Sequence, residues 1–186
     1  MGKPILNDHA IRTSLIARLS GLSKAPKAVL QEIRVHNGNA IADVVALHSE
    51  AHCYEIKGET DSVQRIMRQG SYYDVVFRRT TLVTTENQIR SALRLAPQHW
   101  GIMKAHDVGG KVKITYVRRA RPSPTFDKKL ALLTLWKSEL VEVARSIPLE
   151  KAEKLNRSQL SNLIASALPA DVVGKNISDK LTSRRS

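Results

Sequence analysis

Two short apolar runs, each carrying a carboxylate, constrain this chain more than any other feature between residues 39 and 57. In Ala40-Ile41-Ala42-Asp43-Val44-Val45-Ala46-Leu47 the only polar residue is Asp43. After a polar turn, His52-Cys53-Tyr54-Glu55-Ile56-Lys57 sets a carboxylate and an ammonium two residues apart. In a strand that spacing points both side chains to one face. Burying an ionised carboxylate without a partner costs several kcal/mol, so such groups persist where they pair, bind a cation or do chemistry. A structural ion pair between neighbouring strands is the plainer reading of the same residues.

From Thr60 the pattern turns helical, and residues 60–77 are expected as one helix with Thr60 or Asp61 as N-cap. Val63, Ile66, Met67 and Gly70 recur at helical spacing and form its apolar face. Asp61, Arg65, Gln69 and Tyr73, each four residues apart, form a polar stripe. An Asp–Arg pair on a solvated face accounts for the first half of that stripe better than for Gln69 and Tyr73.

Around these segments, residues 10–19 and 25–33 read as helices, and 32–36, 40–48 and 51–57 as strands joined by short turns. Residues 80–85 form a β-branched strand expected to lie parallel to the Glu55 strand. A helix over 86–95 and a strand pair over 99–105 and 111–118 complete a first domain, residues 1–121. Arg121-Pro122-Ser123-Pro124 marks its boundary. Beyond it, 126–147 and 156–168 read as amphipathic helices of a C-terminal helical region, 122–174. Residues 175–186 are expected to be a basic tail, in part disordered.

Taken together, Asp43, the Glu55-Ile56-Lys57 doublet twelve residues later and Gln69-x-x-x-Tyr73 on the next helix, with Glu32 upstream, resemble the PD-(D/E)XK nuclease superfamily. The resemblance spans about residues 27–85, and its Gln-x-x-x-Tyr feature is similar to the branch of RecB-type and phage-type exonucleases. One departure is Ala42, where the family pattern has Pro. The resemblance implies an α/β, restriction-endonuclease-like core, a mixed central sheet flanked by helices, with a C-terminal helical appendage. It implies a Mg²⁺- or Mn²⁺-dependent nuclease in which Glu32, Asp43 and Glu55 hold the metal. Hard oxygen ligands suit those ions. Lys57 would position the attacking water or stabilise the developing charge, with Gln69 and Tyr73 orienting Lys57 or touching the scissile phosphate.

Charge agrees with that substrate class. Lys and Arg number 30 against 17 Asp and Glu, a net +13, which favours polyanions by counterion release and steering. Arg65, Arg68, Arg78, Arg79, Arg118, Arg119 and Arg121 are the expected nucleic-acid contacts, with DNA the expected partner. Aromatic residues are only 4%, so a prominent stacking platform for single strands is not expected. No long apolar run of membrane-spanning length occurs, and the single cysteine, Cys53, suits a reducing cytoplasm. No Cys/His spacing suggests structural zinc, and no Gly-rich phosphate loop is present. A homodimer is compatible with a restriction-type role, although no dimer face is legible. The competing reading is a non-catalytic nucleic-acid-binding or regulatory protein on the same fold, of phage or defence-system origin.

Overall fold

A computed structural model describes residues 6–149 and 151–184, and the side chains of all of these except Arg65, Met67 and Arg68. Helix α1 (Asp8–Ser20) leads into β1 (Ala28–Val35), β2 (Ala40–Leu47) and β3 (Ala51–Lys57). A 3₁₀ turn and α2 (Ile66–Val76) follow, then β4 (Arg79–Thr85), α3 (Ile89–Leu95), β5 (Gly101–Val108) and β6 (Lys111–Arg118). Four helices close the chain: α4 (Lys128–Leu132), α5 (Lys137–Ala144), α6 (Arg157–Ala167) and α7 (Ala170–Ser183).

The strands form one mixed sheet in the order β1-β2-β3-β4-β5-β6. β1, β2 and β3 pair antiparallel, β3, β4 and β5 parallel, and β6 returns antiparallel to β5. The molecule is thus α/β with helices on both faces, as expected from sequence, including the parallel pairing of β4 with the Glu55 strand. On one face Ile11, Leu15 and Leu19 of α1 pack against Val44, Ala46, Tyr54, Ile56, Val83 and Met103. On the other, Val45, Leu47, Cys53 and Leu82 share a core with α2 and with Leu132, Leu140, Leu160, Val173 and Leu181 of the C-terminal helices.

Four local expectations need correction. Residues 25–33, read as a helix, belong largely to β1, because Ala28 to Val35 finds a full antiparallel partner in β2; pairing outweighs local propensity. The helix expected over 60–77 begins with a 3₁₀ turn at Val63–Arg65, and α2 proper starts at Ile66. Asp61 does not cap it; its carboxylate accepts the Gly58 N–H at 2.8 Å. The single helix expected over 126–147 is broken between α4 and α5. The freed carbonyls there are taken up by guanidiniums: Arg157 donates to Leu133 and Leu135, and Arg184 to Thr134. Finally, the tail expected to be disordered is the helix α7 as far as Ser183, with Val173, Ile177 and Leu181 buried at every fourth residue. Ser178 Oγ of α7 donates to the His48 carbonyl at 2.7 Å, tying the helix to the β2–β3 turn.

Candidate active site

The sheet carries a seam. Pairing of β2 with β3 runs from Leu47–Ala51 to Val44–Tyr54 and stops there. Beyond that point β3 continues against β4, with Glu55, Ile56 and Lys57 opposite Leu82, Val83 and Thr84. β2 continues against β1 alone, as far as Ala40 opposite Val35. Backbone groups left along such a seam need partners once buried. Two side chains supply them. Asp43 Oδ2 accepts the Ile56 N–H at 2.7 Å, and the Tyr73 hydroxyl of α2 donates to the Ile41 carbonyl at 2.7 Å.

The seam coincides with a slip in strand alternation. In β2, Ala42, Val45 and Leu47 join the core on the α2 side, whereas Val44 and Ala46 join the α1 side. In β1, Leu30 and Val35, an odd interval apart, both join the α2 side. Glu32, which falls opposite Asp43 in this register, has φ +55°, left-handed backbone that costs a non-glycine residue on the order of 1 kcal/mol or more. Arg12 of α1 meets Glu32 and Asp43 at this point. Its guanidinium lies 3.0 Å from Asp8, 3.1 Å from Glu32 and 3.5 Å from Asp43.

On β3, Glu55 is 2% exposed. Its Oε1 accepts from Lys57 Nζ at 2.6 Å, and its Oε2 is buried with no hydrogen-bond partner among the described residues. The Tyr73 hydroxyl neighbours this carboxylate as well as the Ile41 carbonyl, and has one proton to give. Burial, reinforced by the Asp43 charge, pushes the Glu55 carboxyl up to about 7 despite Lys57. Burial also raises Asp43, against the opposing pull of the Ile56 N–H and Lys57. The Lys57 carbonyl accepts from Thr84 Oγ1 at 2.9 Å, which fixes the end of β3 to β4.

Asp43, Glu55, Lys57 and Tyr73 therefore share one seam. Glu32, expected as a third metal ligand, has a 70% exposed side chain and reaches Asp43 through Arg12. Gln69 is half-buried one turn before Tyr73, and its side chain makes no hydrogen bond among the described residues. Of the two adjacent tyrosines, Tyr73 reaches the seam, and Tyr72 sits against the His36 ring at 4.7 Å. No group of three or more His, Cys, Asp or Glu among the described residues is arranged to hold a metal. Asp43 and Glu55 interact electrostatically across the seam, and one oxygen of Glu55 has no hydrogen-bond partner among the described residues. Sequence reading missed Arg12, although Asp8-x-x-x-Arg12 is an i,i+4 pair visible on α1.

The expected DNA-contacting arginines are partly committed elsewhere. Arg78 and Arg79 pair with Glu50 at 3.1 and 2.9 Å. Arg118 donates to the Trp100 and Pro97 carbonyls, both at 2.8 Å, and Arg121 to the Gln98 carbonyl at 3.2 Å. Arg119 is exposed, its guanidinium over the Tyr116 ring. The Arg65 and Arg68 side chains lie outside the described residues.

Fold and seam define the class: an α/β protein with a mixed six-stranded sheet, opened where two strand carboxylates and a lysine meet. The chain belongs to the bacteriophage P4 protein cII family, whose model matches residues 3–184. Protein cII of Enterobacteria phage P4 is 20% identical over 181 residues, covering 97% of this chain and 68% of that protein. A solved structure of a protein of unknown function from Silicibacter pomeroyi superposes with a TM-score of 0.48 at 16% identity, covering 80% of this chain and 94% of the other.

Proposed function

We propose that this protein is a metal-dependent nuclease that hydrolyses phosphodiester bonds in DNA, of the PD-(D/E)XK type, with Mg²⁺ or Mn²⁺ as its ion. The observation that carries the reading is the buried, unpartnered Oε2 of Glu55 in the seam it shares with Asp43 and Lys57. A buried carboxylate oxygen left without a donor is costly unless a proton or a cation completes it, and a cation is the partner that serves above about pH 7. Asp43 and Glu55 would hold that ion, which when bound supplies a polarised water and charge neutralisation at the phosphate. Lys57, 2.6 Å from Glu55 and 14% exposed, would bring its ammonium to the negative charge that builds on the phosphate oxygens. Tyr73 acts through position, holding the seam open at Ile41. The net charge of +13 supports a polyanionic substrate, and membership of a phage protein family supports a role in phage biology. Among the described residues no helix is long and apolar enough to cross a membrane.

A second reading is favoured by a specific pairing. Arg12 and Lys57 already sit on Asp43 and Glu55, as they would in a DNA-binding protein that holds this fold together with internal ion pairs and cuts nothing. The two separate in one assay on linear, circular, nicked and single-stranded DNA with Mg²⁺ or Mn²⁺. The nuclease reading expects cleavage by the wild type and a loss of at least about 100-fold in Glu55→Gln, with DNA binding retained. Salt-sensitive binding without cleavage under any ion would establish the second reading instead.

A further inference from the structure

We propose that α1 and β6 together form the surface that holds the DNA backbone, with Arg18 and Arg119 gripping phosphates on either flank of Tyr116. Both guanidiniums lie over the one Tyr116 ring, 5.6 and 5.2 Å from its centroid. Neither has a carboxylate partner among the described residues. Two guanidiniums without acid partners thus gather positive charge around one ring, itself 43% exposed. The ring attracts each of them, and phosphates would supply the anionic partners that both lack. Arg12, Arg78, Arg79 and Arg184, by contrast, are each paired with acid.

Beside the cluster runs an open groove of about 540 Å³ between α1 and the β5–β6 hairpin, lined by His9, Thr13, Ser14, Ala17, Gly110 and Lys111. Its walls offer hydroxyls, an imidazole and an ammonium over small residues, a lining suited to a sugar–phosphate chain. β6 is also the outermost strand of the sheet. Lysines on such an edge, here Lys111 and Lys113, commonly serve to prevent edge pairing with other chains. That role does not explain Arg18, which stands on a helix, or an exposed tyrosine beneath it. α1 links this surface to the seam: Arg12 touches Asp43, and Arg18 lies six residues on, about 9 Å along the axis. A backbone seated on Arg18 and Arg119 would therefore be carried by the same helix that reaches the carboxylates.

The inference takes from the functional reading only that the ligand is DNA, so its test omits metal. Binding of a fluorescent 30-base-pair duplex is followed by anisotropy in EDTA across a range of salt. Arg18→Ala/Arg119→Ala is expected to bind about tenfold more weakly at 0.1 M salt, with the log–log salt slope shallower by nearly 2. Arg34→Ala/Arg90→Ala removes the same charge from β1, at the opposite sheet edge, and from α3, and is expected to bind like the wild type. Thermal melts verify that both double variants fold. An equal loss in the two variants, no loss in either, or no binding by the wild type would each overturn the proposal. Binding lost in the first variant alone, with no cleavage by the wild type when Mg²⁺ is restored, would uphold this surface while removing the nuclease reading.

Discussion

Glu55 is the residue on which the chemistry turns, and its titration makes that accessible. Folding moves its carboxyl from an ordinary value of 4.5 up to about 7, chiefly through burial and secondly through Asp43. A group that holds its proton more tightly when folded contributes stability that is complete below its unfolded value and is lost as pH rises through the folded one. In metal-free buffer the Tm difference between wild type and Glu55→Gln should therefore shift against the wild type between pH 4.5 and about 7. The subtraction removes groups of opposite sign such as Asp179, which Lys27 holds below its usual range. Adding Mn²⁺ above pH 7 should raise the Tm of the wild type and leave that of the variant unchanged. A pH-independent difference would mean that Glu55 is ionised in both states.

At the scale of elements, the seam between β2 and β3 is built by side chains standing in for backbone. Asp43 takes the place of a strand carbonyl for Ile56, and Tyr73 the place of a strand N–H for Ile41. Asp43 is therefore structural as well as chemical, and Asp43→Ala does not leave the fold untouched, because the Ile56 N–H loses its acceptor. That change should cost about 1–3 kcal/mol in urea unfolding. Asp43→Asn keeps an oxygen for the N–H and should unfold within about 1 kcal/mol of the wild type, while any metal-dependent activity falls. Equal stability for the two variants would show that the seam needs no side-chain acceptor. A similar substitution closes the break before α5, where the Glu139 carboxylate accepts the Trp136 N–H at 2.7 Å and is gripped by Arg184, the residue that follows α7. Arg184 in turn lies 4.1 Å from the Trp136 ring centroid.

Across the whole molecule, the C-terminal helices are part of the core that the sheet begins. Leu132, Leu140, Leu160 and Val173 join one buried cluster with Val45, Cys53, Tyr73 and Leu82. Lys27 of the β1 approach pairs with Asp179 of α7 at 2.7 Å. A fragment ending at residue 121 would leave that face of the sheet in water. It should fail to give a cooperative thermal transition and should self-associate in gel filtration. A well-folded monomeric fragment would instead establish residues 1–121 as an autonomous domain.

The sequence alone determined the alternating and helical segments, the parallel return of β4 beside β3, and the acid–lysine set on β2 and β3. Those follow from periodicity and from the cost of charge in apolar runs, both local quantities. Only the tertiary structure decided that the strand read from residue 32 begins at 28, since β2 had to be present to pair with it. It likewise decided that 126–147 breaks, since the guanidiniums donating to the carbonyls of that break come from Arg157 and Arg184, far along the chain. The polar stretch after residue 174 became α7 because three apolar residues suffice once a waiting core completes the burial. Arg12 and the left-handed Glu32 were invisible for the same reason: their meaning lies in what stands opposite them, and opposition is set by the fold.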